Sequence, residues 1–259
     1  MAEFYYGIFD WDDNILHMPT MIKSYDTLKK RFVWLTTEQY AEMRRGAHQF
    51  SFDEDSFDLF YDYIPNNFEM DIKRALLLKT FGPSYDMFLQ MVKDGDIVAI
   101  VTARGHAADT LMNGCIYLIN HAFSVDDRIA WHENLRRLRK HRVESEGEID
   151  DVDLECEYWN MCFFAGLGAK KGEIGKLIRN VEDEKRKTIT TFVEGVHANV
   201  DAYFKKYNEM PRVSIGFSDD DKANLKKIHD LFIELNNIYT VTKFRVYDTS
   251  DRGLKKIVI

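Results

Sequence analysis

Five short and nearly uninterrupted apolar runs are spread along the chain, and helical patterns separate them. The runs are FYYGIFD (4–10), DIVAIVT (96–102), WNMCFFA (159–165), RVSIGFS (212–218) and TKFRVYD (242–248). Runs of this kind are typical of strands in a sheet that is covered on both faces. Strands that alternate with helices predict a parallel sheet with right-handed crossovers. The chain is therefore expected to be an α/β protein with a Rossmann-like parallel sheet flanked by helices.

Two of the segments between these runs have clear helical periodicity. The segment 83–95 starts with Pro83 and ends with Gly95, and these residue types suit the two ends of a helix. The segment 220–237 starts with acidic residues, which suit the helix dipole, and then places apolar residues at helical spacing, namely Leu225, Ile228, Leu231, Phe232 and Leu235. Both segments predict helices that pack one apolar face on the sheet.

A long connection follows the first apolar run. Residues 17–82 contain helical patterns at 36–48 and 53–64, and connections of this length usually carry substrate contacts or lids. We expect these residues to form a helical cap inserted after the first strand. The core would then consist of residues 1–16 and 83–259.

A second long connection, at about 123–158, is highly charged. Its basic part, NLRRLRKHR (134–142), is followed by the acidic stretch ESEGEIDDVDLECE (144–157). We expect the opposite charges of this insertion to pair with each other.

Composition restricts the partners and the compartment. The formal net charge of −8 argues against broad electrostatic binding to nucleic acid or to an anionic membrane. Cys115, Cys156 and Cys162 have no CxxC spacing and cannot all pair, which favours a reducing compartment. The start of the chain lacks the basic segment of a signal peptide, and no apolar stretch is long enough to cross a bilayer. We expect a cytoplasmic protein with no membrane partner.

Carboxylates cluster where the first apolar run ends, in the stretch GIFDWDDNIL (7–16). Residues two apart on a strand point the same way, so Asp10 and Asp12 are expected to emerge together at the carboxyl end of the strand. Ligands bind at that edge in open α/β sheets, and paired carboxylates suit nucleophilic attack, metal binding and proton transfer. An alternative is that Asp-Asp-Asn forms only a turn and a helix N-cap.

This stretch resembles the first motif of the haloacid dehalogenase (HAD) superfamily of phosphoryl-transfer enzymes, Asp-x-Asp-x-Thr after an apolar strand. Asn14 stands where that family usually has Thr or Val. The stretch IVAIVTARGH is similar to the second motif and places Thr102 at the strand end. The stretch VSIGFSDDDKANL is similar to the fourth motif and supplies Asp219 and Asp220. The motifs occur in the family order, and the resemblance extends from residue 4 to about residue 235.

The third family motif is a lysine near the start of a helix that precedes the fourth-motif strand. The stretch GAKKGEIGKLI offers Lys170 and Lys171. Lys171 is preferred because Gly172 follows it, and because Ile174 and Ile178 lie three and seven residues later. The alternative is that either lysine is simply solvated.

The resemblance implies a Mg²⁺-dependent phosphatase that hydrolyses a phosphomonoester. Asp10 would attack phosphorus to give an aspartyl-phosphate, and Asp12 would act as the acid and base. The resemblance implies that Mg²⁺ is held by Asp10, Asp219 and the backbone carbonyl of Asp12, with Asp220 holding it through water. The substrate would be a small-molecule or nucleotide phosphate, with a nucleic-acid end as an alternative. The residues do not indicate which substrate, or which oligomeric state.

Roles can also be predicted for four residues in or near these motifs. Thr102 and Lys171 would donate to the transferring oxygens and to Asp10. Arg104 would bind the substrate phosphate, the alternative being a surface salt bridge. The histidines have no metal-ligand spacing and are expected to have surface or core roles. His106 is the best candidate among them for a substrate contact, because it follows the second motif closely.

Two rival interpretations remain open. The first is a non-catalytic module that binds nucleic acid or protein on a HAD scaffold, through the basic tract of Arg136, Arg137, Arg139, Lys140 and Arg142. The second is a dinucleotide-binding oxidoreductase, suggested by Gly166, Gly168 and Gly172. That spacing is GxGxxxG rather than GxGxxG, and it follows the third run instead of the first.

Overall fold

A central six-stranded sheet forms the core of this computed structural model. The structure describes residues 2–44, 49–53, 55–142, 149–168, 174–251 and 255–258. The strands of the sheet are β1 (Glu3–Phe9), β5 (Ile97–Thr102), β6 (Phe163–Gly166), β7 (Arg212–Asp219), β8 (Thr242–Asp248) and β9 (Lys255–Val258). Their order in space is β6-β5-β1-β7-β8-β9, and all neighbours are parallel except β8 and β9. The prediction of a mostly parallel α/β sheet is confirmed.

All five predicted runs contain a strand, but the sequence did not predict β9. The strand β6 also starts four residues later than the run that predicted it, at Phe163 instead of residue 159. The preceding helix continues to Met161 and takes up the first residues of that run.

Six helices surround the sheet in the described part of the chain. They are α3 (Tyr85–Asp94), α4 (Ala108–Ala122), α5 (Val125–Arg142), α6 (Asp151–Met161), α7 (Ile174–Tyr207) and α8 (Lys222–Ile238). Side chains of β1 alternate between the two faces of the sheet. Tyr6 packs on Phe192 of α7, whereas Phe9 packs on Phe88 of α3. The sheet is thus covered on both faces at β1, as the apolar runs predicted.

The segment 17–82 contains strands as well as helices. The strands β2 (Ile22–Asp26), β3 (Arg31–Leu35) and β4 (Phe50–Ser51) form a separate antiparallel sheet in the order β3-β2-β4. They are accompanied by α1 (Thr37–Arg44), one 3-10 turn (Asp58–Phe60) and α2 (Asn67–Leu78). A small cluster of buried side chains holds this sheet, formed by Ile22, Leu35, Phe60 and Tyr61.

The expectation that this segment is helical is therefore only partly met. The helix predicted at 36–48 is present as α1 over Thr37–Arg44, and residues 45–48 lie outside the described residues. The prediction of a helix at 53–64 is wrong, since the described residues there form turns and one 3-10 turn. The missed hairpin of β2 and β3 has alternating burial along β2, a pattern typical of a half-buried strand. Its turn is stabilised by Asp26, whose carboxylate accepts hydrogen bonds from the backbone of Leu28 and Lys29 at 3.0 and 2.9 Å.

The charged insertion forms α5 and α6, which pack on each other, while α5 also packs on α3. The expected pairing of opposite charges is confirmed among the described residues. The ion pairs are Arg128 with Glu155, Arg136 with Asp151, and Arg139 with Glu157. Two arginines of the basic tract are thus already paired within the protein.

None of the described helices combines the length and the apolar character that crossing a membrane requires.

Candidate active site

Three carboxylates from two neighbouring strands meet at the carboxyl edge of the sheet. In the register, Phe9 pairs with Ser218, so Asp10 follows β1 beside the end of β7, where Asp219 lies. One ligand atom each from Asp10, Asp219 and Asp220 lie within 4.8 Å of one another. Asp219 is fully buried and Asp10 is 7% exposed. Such a set of oxygen atoms can hold a hard divalent cation.

The start of α8 orients Asp219. The Asp219 carboxylate accepts a hydrogen bond from the backbone N–H of Asp221 at 2.8 Å and from the Asn224 amide at 3.0 Å. Asp221 itself caps the helix, accepting from the backbone of Ala223 at 2.7 Å. The helix that the sequence predicted here therefore also fixes the direction of the acid before it.

A buried lysine joins two of these acids. The Nζ atom of Lys185 lies 2.7 Å from an oxygen of Asp10 and 2.7 Å from an oxygen of Asp219. Lys185 lies on α7 and is 1% exposed. Its ammonium group therefore neutralises part of the negative charge of the acid cluster.

Lys185 is not among the residues that the sequence motifs predicted. The third-motif resemblance assigns the lysine to Lys171, with Lys170 as the alternative, and both lie outside the described residues. A signal did exist, because Lys185 falls on the buried stripe of α7, four residues after Val181 and four before Ile189. A lysine on such a stripe has to be paired, since lysines are almost never buried alone.

Burial and mutual repulsion shift the ionisation of the cluster. Burial raises the pKa of Asp10 to about 7, with Lys185 opposing and Asp219 adding to the shift. Burial, Asp219 and Asp10 raise the pKa of Asp220 to about 9. Burial lowers the pKa of Lys185, but the carboxylates of Asp10 and Asp219 outweigh it and hold the pKa above the ordinary value. One ammonium group is therefore not enough to keep all three acids ionised, and Asp220 holds its proton at neutral pH.

Asp12 lines the same cavity, but its side chain is bound to Arg104. The guanidinium donates from Nε and Nη2 to the two Asp12 oxygens, at 2.8 and 2.6 Å. Arg104 is 1% exposed and stacks over the rings of Phe60 and Phe68. A bidentate pair of this kind fixes the direction of the carboxylate.

Arg104 also donates a hydrogen bond to a side chain of the 17–82 segment. Nη2 donates to Thr20 at 2.8 Å, and Thr20 donates to the buried Asp71 at 2.5 Å. The contact of Arg104 with a substrate phosphate thus stays a prediction, while the geometry shows that this arginine orients Asp12. His106, the candidate among the histidines for a substrate contact, is buried and hydrogen-bonds Asp62 at 3.0 Å.

Asn14 connects the strand ends below the acids. Its amide donates to the carbonyls of Asp10 and Ser218, at 3.1 and 3.0 Å. Its oxygen accepts from the hydroxyls of Ser84, Ser218 and Thr249 at 2.9, 3.0 and 2.9 Å. Asn14 is fully buried, so these contacts account for the asparagine that stands at this motif position.

The glycines considered for dinucleotide binding have a packing role. A Cβ on Gly166 would lie 2.3 Å from the carbonyl oxygen of His106, and one on Gly168 would lie 2.3 Å from the Cα of Gly105. These two glycines let the loop after β6 approach the loop after β5. Gly172 lies outside the described residues.

A cavity of about 150 Å³ lies over the acids. The predicted residues Asp10, Asp12, Thr102, Arg104, Asp219 and Asp220 all line it, together with Lys185. Thr102 is buried at the end of β5, where its hydroxyl accepts from the backbone of Arg104 at 3.3 Å. The segment 17–82 contributes the opposite wall.

The fold and the site define an α/β protein with a carboxylate cluster and a buried lysine at the carboxyl edge of a parallel sheet. Comparison of the chain with models of protein families, with curated proteins and with solved structures finds no match. The resemblance to the HAD superfamily therefore rests on the residues of this chain, and it stays a prediction.

Proposed function

We propose that this protein is a metal-dependent phosphatase of the HAD type, which hydrolyses a phosphomonoester through attack by Asp10. The observation that supports the proposal is the meeting of Asp10, Asp219 and Asp220 around Lys185 at one edge of the sheet. Three acids around a single cation form an expensive arrangement for stability alone, because buried like charges repel. Such an arrangement is expected where a metal ion and an anionic substrate are to be bound.

Mg²⁺ fits the donors that are present. Asp10, Asp219 and Asp220 would hold it through carboxylate oxygens, which this hard cation prefers. When bound, the ion would neutralise the charge of the phosphate and of the attacking carboxylate.

Asp10 would be the nucleophile. Its oxygen would attack phosphorus and the ester oxygen would leave, giving an aspartyl-phosphate that water then hydrolyses. Lys185 supports this role, since its ammonium group lies 2.7 Å from Asp10 and favours the ionised carboxylate. Thr102 would donate a hydrogen bond to the phosphoryl oxygens from the end of β5.

Asp12 would protonate the leaving oxygen and then accept a proton from the attacking water. Each of its oxygens accepts one hydrogen bond from Arg104 and keeps a second lone pair that can take up the proton. Arg104 would therefore be a positioning residue for Asp12.

The test is phosphate release from a panel of phosphomonoesters by the full chain, with Mg²⁺ or with a chelator. We expect release that needs the metal and that falls by at least about 100-fold in Asp10→Asn purified in the same way. Release that is equal in wild type and Asp10→Asn would overturn the proposal. Metal binding without turnover of any ester would favour the alternative, a non-catalytic binding module.

A further inference from the structure

The wall of the cavity that faces the acids is apolar and aromatic. Residues of the segment 17–82 form it, namely Ile22, Thr37, Tyr40, Ala41, Phe57, Phe60 and Tyr61. Four of these seven residues are aromatic, and none of the seven carries a carboxylate or a basic group. This wall thus differs in character from the part of the cavity that holds the acids.

The wall is built of rings that support one another. The ring centroids of Tyr40 and Phe57 lie 5.4 Å apart, and those of Phe57 and Phe60 lie 6.2 Å apart, both edge to face. Phe52 packs behind them, 5.4 Å from Tyr40 and 5.7 Å from Phe57, and does not line the cavity. Interlocked rings of this kind form a preorganised surface rather than a collection of mobile side chains.

Residues of this wall are in direct contact with the loop after β5. The backbone N–H of Gly105, in the loop after β5, donates to the carbonyl of Phe60 at 2.9 Å. A Cβ on Gly105 would lie only 2.1 Å from the ring of Tyr61, so the loop and the ring are in close contact. The wall therefore has a defined position opposite the acids.

Both cationic side chains in the described part of the cavity lining are already paired with acids. Lys185 pairs with Asp10 and Asp219, and Arg104 pairs with Asp12. Within the described part of the lining, a second phosphate or a carboxylate on the substrate would thus meet no unpaired cation. The wall offers ring faces, ring edges and a few hydroxyl groups instead.

We propose that the group esterified to the phosphate is an uncharged, planar aromatic one, which packs against Tyr40, Phe57, Phe60 and Tyr61. This inference rests on the proposed function, because it assumes that the phosphate lies over Asp10. It selects aromatic phosphomonoesters over sugar phosphates and over substrates with a second phosphate. Apolar burial against the rings would supply the discrimination.

The first test compares esters whose leaving groups are all primary alcohols, so that leaving-group acidity differs little. These are benzyl phosphate, cyclohexylmethyl phosphate and glycerol 3-phosphate. We expect kcat/KM for benzyl phosphate to exceed that for glycerol 3-phosphate by at least about tenfold. Its advantage over cyclohexylmethyl phosphate should be about threefold to tenfold, because ring geometry adds to apolar burial. An equal or higher kcat/KM for glycerol 3-phosphate would overturn the inference.

A matched pair of variants assigns the preference to the wall. Phe57→Leu removes a ring that lines the cavity, whereas Phe52→Leu removes a ring of the same cluster behind it. Phe57→Leu should lower the ratio of kcat/KM for benzyl phosphate to kcat/KM for glycerol 3-phosphate by about tenfold. Phe52→Leu should retain the preference. An equal loss of the preference in both variants would contradict the assignment.

Binding of non-hydrolysable probes separates this inference from the proposed activity. Phenylphosphonate and methylphosphonate are titrated into the Mg²⁺-loaded wild type and Phe57→Leu by calorimetry. We expect phenylphosphonate to bind the wild type at least about tenfold more tightly, and Phe57→Leu to remove most of that difference. If this holds while no ester is hydrolysed, the hydrolytic function fails but the aromatic site stands. If esters are hydrolysed but the two phosphonates bind equally, the aromatic site fails and the hydrolytic function stands.

Discussion

The ammonium group of Lys185 and the carboxylate of Asp10 lie 2.7 Å apart, although 175 positions separate them in the chain. The pair is buried, and Lys185 makes a second contact of the same length with Asp219. Removing the cation would leave two buried carboxylates without compensation, which costs far more than the loss of an exposed ion pair. The site and the stability of the fold therefore depend on the same side chain.

Replacing Lys185 tests this dependence. We expect Lys185→Met to lose at least about 100-fold in kcat/KM and about 3–5 kcal/mol in the free energy of unfolding by urea. The matched control is Lys187→Met on the same helix, since Lys187 is exposed and pairs only with Glu184 in the described structure. That control should change stability by less than about 1 kcal/mol. Lys171→Met, measured beside them, decides which lysine serves the reaction.

Replacing Arg104 distinguishes orientation of Asp12 from binding of the substrate phosphate. We expect Arg104→Lys to lower kcat by at least about tenfold with little change in KM, because lysine cannot form the bidentate pair. Steady-state kinetics with benzyl phosphate provide the measurement. A rise in KM at unchanged kcat would instead indicate that Arg104 binds the phosphate.

The stability of the metal-free protein should fall as pH rises. The pKa of Asp220 is raised from 3.8 to about 9, so across that interval the folded protein holds a proton that the unfolded chain releases. Since the unfolded state then binds fewer protons, the free energy of unfolding decreases with increasing pH. We expect a lower melting temperature at pH 9 than at pH 6, and a larger gain from Mg²⁺ at pH 9.

Asp220→Asn is the control for this pH dependence, because asparagine resembles the protonated acid and does not titrate. Its melting temperature without metal should change less between pH 6 and pH 9 than that of the wild type. The gain from Mg²⁺ at pH 9 should also shrink, since one ligand is lost. Identical pH slopes for wild type and variant would show that Asp220 does not carry the effect.

Asn14 is expected to matter for stability as much as the residues of the reaction. Asn14→Leu would leave the hydroxyls of Ser84, Ser218 and Thr249 without their shared acceptor. We expect a loss of about 2–4 kcal/mol in the free energy of unfolding, because several buried polar groups lose a partner. Asn237→Leu, at an exposed position near the end of α8, should stay within about 0.5 kcal/mol of the wild type in the same urea titration.

The sequence by itself was sufficient for the five parallel strands of the central sheet and for the meeting of the acids. The five apolar runs predicted the parallel strands because a strand that is buried on both faces has apolar residues at almost every position. Parallel strands end at one edge, so Asp10, Thr102 and Asp219 had to come to the same end of the sheet. The apolar runs predicted the strands, and the resemblance to the HAD motifs singled out Thr102 and Asp219 at their ends.

The tertiary structure decided which distant side chains complete the site. Lys185 reaches the acids because of the position at which the 34-residue helix α7 packs on the sheet. The residues next to Lys185 in the sequence do not determine that position. Arg104 turns toward Asp12 because the 17–82 segment provides Phe60, Thr20 and a buried setting around it. Local periodicity determines which elements form, but the contacts between elements depend on packing across the whole chain, and these contacts set the charge and the shape of the cavity.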